Sequence, residues 1–463
     1  MKNNSVLINI SKKIHNHGGR LLVVGGSVRD EIMDKPSNDI DVEVYGLSYD
    51  KLLNVLSNFT LTEAGKAFSV IKMSVDGYDF DIALPRKEIS TGPKHTDFDV
   101  EIDPFMSPKD TAIRRDFTMN AISYDPLTQE LIDPLNGVGA IQNGIIDVTS
   151  ETSFVDDPLR KMRAVQFISR FGLTPSKRII DMAKDPCTSL SSVSKERLWV
   201  EWKKWALSPM PDMGLSFMES TNMLPDELLN MRQTAQDAEW HPEGDVFTHT
   251  KQVVRMAAWI ANQENMSERD TLILVFSALC HDMGKPETTE EVDGRIRALG
   301  HPQAGEEPTI SFLKNISAPK WLIDSAIPLV KEHLYHASWR DEAPSKKAVR
   351  KLSVKLEPSN ISMWYNLVTA DCSGRSVEPV NDNVERPPYP LRKISQEWLS
   401  IANDLHVQDS KPEPIVTGKH LIQRGVIPGP DFKGILDSYY QEQLDGNMEN
   451  INELLSTSDC FNM

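Results

Sequence analysis

Asp39 and Asp41 stand two residues apart in Asp39-Ile40-Asp41, about a dozen residues after a glycine hinge, Gly25-Gly26-Ser27. In a strand alternate side chains share a face, so the two carboxylates lie side by side, roughly 6.5 Å apart at Cα. They can share two divalent cations about 3.5–4 Å apart, an arrangement that activates an attacking hydroxyl and neutralises a departing pyrophosphate. The hinge supplies the complement, because Gly25 and Gly26 let backbone N–H groups approach a triphosphate. Singly, a Gly-Gly-Ser is an ordinary turn and an Asp-x-Asp an ordinary solvated strand edge. Their order, spacing and strand–turn–helix–strand setting join them into the chemistry of nucleotidyl transfer.

The elements that must position these residues follow from the pattern. Residues 1–150 alternate short strands and helices, with Arg20–Val24, Asp39–Tyr45, Val70–Val75 and Tyr78–Ala83 reading as β, so an α/β head is expected. From Asp157 the pattern turns helical: Leu159, Met162, Val165, Phe167 and Ile168 share a face before Gly172 ends the element and Pro175 follows. Further helices are predicted over 196–207, 246–261, 270–279, 321–334, 395–405 and 433–445, and the segment 235–245, with Trp240, Pro242 and Gly244, reads as a linker. A chain of 463 residues is too long for one core. The expected fold class is α+β multidomain: a head at 1–150, a helical neck at 151–235, a helical domain at 236–380 and a helical tail at 381–463.

Composition narrows the class. Hydrophobic content of 40% with 25% charged residues is globular, and no stretch approaches the roughly 18–20 apolar residues of a membrane span. The N-terminus leads into no signal-peptide core, so a cytoplasmic location is expected. Cys187, Cys280, Cys372 and Cys460 are scattered, which suggests neither a zinc knuckle nor a disulfide framework. A net charge of −17 argues against a nucleic-acid partner, yet Arg160, Lys161, Arg163, Arg170, Lys177, Arg178, Lys184, Lys195, Arg197, Lys203 and Lys204 form a local basic surplus suited to RNA.

Gly25-Gly26-Ser27-Val28-Arg29-Asp30, Asp39-Ile40-Asp41, Arg114-Arg115-Asp116-Phe117-Thr118-Met119-Asn120-Ala121 and Asp156-Asp157-Pro158-Leu159-Arg160 occur in the order seen in class II tRNA nucleotidyltransferases and bacterial poly(A) polymerases, which this chain resembles over its first 210 residues or so. The resemblance implies a polymerase-β-like head, with Asp39 and Asp41 as catalytic Mg²⁺ ligands and Gly26, Arg29 and Arg115 on the nucleotide. It also implies that Asp157 and Arg160, joined by Arg163, select the base. At i and i+3 on a helix, Asp157 and Arg160 would project from one face. The carboxylate would accept from the exocyclic amino group of cytosine or adenine while the guanidinium donates to the ring. Asp116 is expected to orient Arg115 or cap local structure. Asp81 is a candidate third carboxylate. Asp156 stands where the family commonly has Glu, and Gln166 where several relatives carry arginine.

Downstream, His249, His281-Asp282 and Asp371 resemble an HD phosphohydrolase domain, and the tail segments Pro414-Ile415-Val416-Thr417-Gly418-Lys419 and Gly429-Pro430-Asp431-Phe432 resemble CCA-adding enzymes that carry one. His281-Asp282 end an apolar helix, and neighbouring imidazole and carboxylate ligands suit a transition metal: Ni, Mn, Fe, Co or Zn. His301 and His333 could add a second metal or be satisfied surface histidines, and Lys285 could hold phosphate or cap a helix. The resemblance implies CCA addition to tRNA from CTP and ATP, plus hydrolysis of phosphate esters such as 2′,3′-cyclic phosphates. Poly(A) polymerase is the sibling alternative; an HD phosphohydrolase whose head is an inactive RNA-binding module is the alternative from another class. No membrane partner is expected, and both monomer and homodimer stay open.

Overall fold

Strands β1 (Arg20–Val24) and β2 (Asp39–Tyr45) form the centre of the first unit, and β2 alternates: Ile40, Val42 and Val44 are buried while Asp39 and Asp41 face outward. The computed structural model describes residues 4–35, 38–64, 70–90, 98–339, 343–377, 386–393, 396–448 and 450; Cys460 and part of the Pro-rich stretch at 377–391 lie outside the described residues. Two units are separately packed, one comprising Met1–Trp205 with Met213–Met223, the other Ala206–Asp212 with Leu224–Met463.

In the first unit β3 (Leu61–Ala64), β4 (Val70–Val75), β5 (Tyr78–Ala83), β8 (Ser123–Tyr124) and β9 (Leu131–Ile132) complete a seven-stranded sheet in the order β3-β4-β5-β2-β1-β8-β9, while β6 (Arg86–Ser90) and β7 (Phe98–Ile102) pair separately. All four strands expected from alternation are present with the expected bounds. The β2–β5 pairing is parallel, and its register sets Asp41 beside Asp81 and Asp39 beside Asp79. Helix Ser5–Asn16, capped by the Asn4 side chain on Leu7 N, lays Leu7, Ile10 and Ile14 onto the aliphatic face of the sheet. Helix Leu159–Phe171 follows, and Gly172 ends it in the left-handed region.

The second unit is helical. Helix Glu268–Cys280 is apolar nearly all round and packs against Val246–Gln263, Lys320–Glu332 and Ile361–Ser373. The segment 235–245, expected as a linker, belongs to this unit: the Glu243 side chain is buried, its carboxylate set against two histidine rings. Near the C-terminus Val416, Leu421, Tyr439 and Met448 form a small separate cluster. No helix among the described residues is long and apolar enough to cross a membrane.

Gly284 lies between the His281-Asp282 turn and the helix His301–Ala304 that carries a further histidine. Its backbone (φ −84) suits any residue, yet a Cβ there would run into the backbone oxygen of His301 and within 2.5 Å of Gly305 N. Neither atom belongs to a flexible side chain. Gly284→Ala should therefore destabilise the second unit by about 2–3 kcal/mol. Thermal unfolding checks this, and an unchanged Tm would show that the two segments can separate freely.

Candidate active sites

The first site is built where β1 hands over to β2. Gly25 lies at φ 66, a region that disfavours side chains, and a Cβ there would stand 2.8 Å from Arg115 Nη1 and 3.9 Å from Asp41 Oδ2. Ser27 ties the hinge to the strand, its hydroxyl donating to Asp39 O (3.2 Å) and accepting from Asp41 N (2.9 Å). Asp81 stands next to Asp41 in register and accepts from Lys72 Nζ at 3.0 Å. The Asp41 carboxyl is raised above the ordinary carboxylate value, first by desolvation and then by the Asp81 charge, with Arg115 opposing. Asp39, Asp41 and Asp81 are hard oxygen donors crowded on one face, a set that fits Mg²⁺.

Behind this face runs a chain of charged hydrogen bonds. Arg163 grips Asp116 Oδ2 with Nε (2.8 Å) and Nη2 (2.6 Å); Asp116 Oδ1 accepts from Asn120 Nδ2 (2.8 Å); Asn120 Oδ1 accepts from Arg29 Nη1 (2.6 Å); Arg29 Nε donates to Asp30 (2.7 Å). Burial opposes ionisation of Asp116, yet Arg163 and Asn120 hold its pKa below the ordinary value. Arg29 also lies against the rings of Phe167 and Phe171, 5.1 and 4.9 Å from their centroids. Arg115 Nη2 donates to Glu43 Oε1 at 2.7 Å.

Asp157 and Arg160 do not share a helical face. Asp157 precedes Pro158 and is extended (φ −147, ψ 101), as the proline ring requires of the residue before it, and the helix starts only at Leu159. Its carboxylate accepts from Leu159 N (3.1 Å) and Arg197 Nη2 (3.0 Å). Arg160 donates to Arg114 O (2.8 Å), Arg115 O (3.3 Å) and Ser153 Oγ (2.9 Å). Asp156 accepts from Thr152 Oγ1 at 2.9 Å, and Gln166 is buried in its helix. The basic surplus is also smaller at the surface than its residue count, since Lys161 is buried with Nζ on Ala183 O at 2.8 Å. Lys177, Lys184, Lys195 and Lys204 are exposed.

The second site gathers His249, His281, Asp282, His301, His333 and Asp371, all of them buried. Each histidine presents Nδ1 to an acceptor: Ala278 O for His281 (2.8 Å), Ala298 O for His301 (2.7 Å), Val330 O for His333 (2.6 Å) and Glu243 Oε1 for His249 (2.7 Å). Carbonyl oxygens only accept, so Nδ1 of His281, His301 and His333 carries the hydrogen and Nε2 of each turns inward as a lone pair. At His249 burial opposes the charged ring, yet the Asp371 and Glu243 carboxylates on its two sides raise its pKa. His333, which burial and then the neighbouring His301 push down to about 3, is neutral. The inward atoms therefore face acceptors: His301 Nε2 lies 3.3 Å from His333 Nε2 and 3.2 Å from Asp282 Oδ1, and His281 Nε2 lies 3.2 Å from Asp282 Oδ2. His249 Nε2 lies 3.1 Å from Asp371 Oδ1.

Lone pairs that face one another fit a cation between them. His249, His281 and Asp371 form one such group, and Asp282, His301 and His333 a second. His301 and His333, open as surface residues from sequence, thus converge on Asp282. Lys285 Nζ donates to Gln236 Oε1 (2.7 Å) and lies 2.7 Å from Asp282 Oδ2 as an ion pair, while Arg375 donates to Asp371 Oδ1 (3.1 Å). These residues form the floor of a cavity of about 1090 Å³ also walled by Trp240, Arg297, Leu299 and Trp339.

Residues 21–147 match the family model of the Poly A polymerase head domain and residues 246–357 that of the HD domain. The multifunctional CCA protein of Vibrio parahaemolyticus is 32% identical over 399 residues, covering 84% of this chain and 92% of the relative; that of Stenotrophomonas maltophilia is 31% identical over 401 residues, covering 83% and 93%. The chain belongs to the multifunctional CCA protein family. Membership makes it a tRNA-processing nucleotidyltransferase that carries an HD domain, with divalent metal implied for both chemistries. Solved structures share the fold: the Bacillus stearothermophilus CCA-adding enzyme in complex with CTP (TM-score 0.64, 21% identity, 96% of this chain and 94% of that one) and the Thermotoga maritima CCA-adding enzyme complexed with tRNA (TM-score 0.60, 18% identity, 99% and 97%).

Sequence reasoning did not single out Glu243, whose carboxylate holds Nδ1 of both His241 (2.9 Å) and His249. Its spacing of six residues from His249 within a turn-rich segment gave no periodic signal. Glu243→Ala should weaken Mn²⁺ or Ni²⁺ binding by about 10–100-fold, the usual effect of losing a carboxylate behind a ligating histidine. Titration of the chelated, metal-free chain measures this; unchanged affinity would leave Glu243 a packing residue.

Proposed function

We propose that the chain adds C, C and A to tRNA 3′ ends from CTP and ATP in its first unit, without a nucleic-acid template, and hydrolyses phosphate esters in its second. The observation that carries the first activity is the crowding of Asp39, Asp41 and Asp81 beside the Gly25 hinge and Arg115. Two Mg²⁺ ions held there by Asp39 and Asp41 would lower the pKa of the attacking 3′-hydroxyl and neutralise the pyrophosphate. Arg115 binds the triphosphate, and the hinge at Gly25 and Gly26 admits the phosphates close to the backbone. Arg29, buried and paired with Asp30 and Asn120, braces the hinge helix from behind rather than meeting the nucleotide as the resemblance implies. With a nucleotide bound, Asp157 would exchange Arg197 for the amino group of cytosine or adenine and Arg160 would exchange backbone carbonyls for the ring, with Arg163 bracing Asp116 behind them. Uracil and guanine would set a carbonyl against the Asp157 carboxylate, an unsatisfied contact worth about 1–3 kcal/mol. The exposed lysines at 177, 184, 195 and 204 suit the tRNA backbone, and the compartment we infer is the cytoplasm.

The convergent Nε2 atoms support the second activity. A transition metal at His249, His281 and Asp371, with a second at Asp282, His301 and His333, would supply a metal-activated water. Lys285 and Arg375 sit where they can steady both carboxylates and an incoming phosphate, and 2′,3′-cyclic phosphates at damaged RNA ends are the substrates proposed. The HD domain and the tail disfavour the poly(A) polymerase reading, and the intact Asp39 and Asp41 disfavour an inactive head. The four-part division at 150, 235 and 380 is retained as the proposed functional layout. A tRNA lacking its CCA end, incubated with each nucleotide separately, tests all three readings.

Asp39→Ala and Asp41→Ala should each abolish nucleotide addition while leaving the fold intact. A variant retaining a tenth of the single-turnover rate would remove these carboxylates from the metal site. The two sites share no residue, so His281→Ala with Asp282→Ala should eliminate phosphatase and cyclic phosphodiesterase activity and leave CCA addition within a few-fold of normal. Loss of both activities in a folded double variant would make the second site part of the tRNA-addition machinery.

A further inference from the structure

We propose that Glu43 is a positioning residue for Arg115, holding one edge of its guanidinium so that the other faces the hinge where the nucleotide triphosphate lies. The inference rests on the nucleotidyl-transfer reading and extends it to a residue outside the motifs that carried that reading. Glu43 is the third outward residue of β2, two positions beyond Asp41, so the strand that carries the metal carboxylates carries this one as well.

Its two oxygens have separate partners. Oε1 accepts from Arg115 Nη2 at 2.7 Å, and Oε2 accepts from the Tyr45 hydroxyl at 2.7 Å. The Tyr45 hydroxyl is in turn 2.8 Å from Thr111 Oγ1, and both Tyr45 and Thr111 are buried. Glu43 is thus fixed from behind. Arg115 is fixed at its backbone, where its N–H donates to Ala112 O (3.2 Å) and its carbonyl accepts from Thr149 Oγ1 (2.5 Å) and Arg160 Nη1 (3.3 Å). What remains is the other edge of the guanidinium: Nη1 stands 2.8 Å from where a Gly25 Cβ would be.

A free arginine side chain must lose about 2 kcal/mol of rotamer entropy to bind phosphate, and a guanidinium already held along one edge loses less. Glu43 has a second effect. Asp41 Oδ2 lies 3.9 Å from the same Gly25 Cβ position, so an Arg115 released from Glu43 has the Asp41 carboxylate as a competing partner. Such a pairing would draw the arginine away from the triphosphate and reduce the charge that Asp41 offers to Mg²⁺. The Glu43 carboxylate keeps the cation off the metal ligand.

The test is CTP binding to the full chain with Mg²⁺ and no tRNA, so that no turnover occurs, followed by isothermal titration calorimetry. Glu43→Ala should weaken CTP about tenfold, and Glu43→Gln, which still accepts but carries no charge, by about two- to threefold. Tyr45→Phe, which frees Oε2, should act in the same direction as Glu43→Gln. Arg115→Ala should weaken CTP at least as much as Glu43→Ala, and the double variant should bind no worse than Arg115→Ala alone. The proposal is overturned if Glu43→Ala costs the same factor in the Arg115→Ala background, or if it lowers Tm without changing CTP affinity. Should Glu43→Ala lose its circular dichroism signal, Glu43→Gln and Tyr45→Phe complete the same cycle. A wild-type chain that bound no CTP would instead overturn the nucleotidyl-transfer reading beneath it.

Discussion

Strand β2 meets two opposed demands with a period of two. Ile40, Val42 and Val44 must be buried to seat the sheet on its helices, and that requirement places Asp39, Asp41 and Glu43 together on the opposite face. A slip of one residue in register would bury the carboxylates and expose the aliphatic set, so the core fixes the site. The parallel pairing with β5 then adds Asp81 beside Asp41, and the Asp41 pKa is raised first by desolvation and then by that neighbouring charge. Like charges assembled this way are unfavourable until a cation or a guanidinium joins them, which is why Lys72 and Arg115 stand at the margins.

The second unit reaches a similar condition by another route. Backbone carbonyls, rather than strand alternation, aim its side chains: three histidines lie at or next to helix ends, and each donates Nδ1–H to the carbonyl three residues earlier. That local bond fixes tautomer and ring direction together, and it leaves every Nε2 pointing toward Asp282 or Asp371. His249 lies within a helix, and there the carboxylate of Glu243, from a separate segment, stands 2.7 Å from its Nδ1.

Much of this was legible in the residues. Four of the head's strands, the Gly172 stop and the apolar helix before His281 follow from alternation, from glycine's tolerance of the left-handed region and from uninterrupted hydrophobicity. The Asp157–Arg160 geometry was misjudged although the signal was present, since Pro158 excludes a helical Asp157. Other features were out of reach. The Glu43–Arg115, Asp116–Arg163 and Arg29–Asn120 bonds span 72, 47 and 91 residues, and no local pattern encodes pairings at such separation. The segment 235–245 read as a linker because it is rich in turns, while the contacts of Glu243 with two histidines and of Gln236 with Lys285 show that it belongs to the second unit.

The arginines nominated from sequence divide by what their guanidinium groups already hold. Arg163 and Arg29 are joined through Asp116 and Asn120 into one buried chain that runs from helix Leu159–Phe171 to the hinge helix Gly26–Ile32. Removing one member would leave a charge or amide unpaired away from water, at a cost of about 1–3 kcal/mol or more. The helix that follows Asp157 and the Gly25 hinge are therefore braced against each other. Phe167 and Phe171 add to this, since both rings lie on Arg29. In the proposed reading, with the phosphates at the hinge and the base at Asp157 and Arg160, this polar strut is what holds the distance between the two contacts fixed.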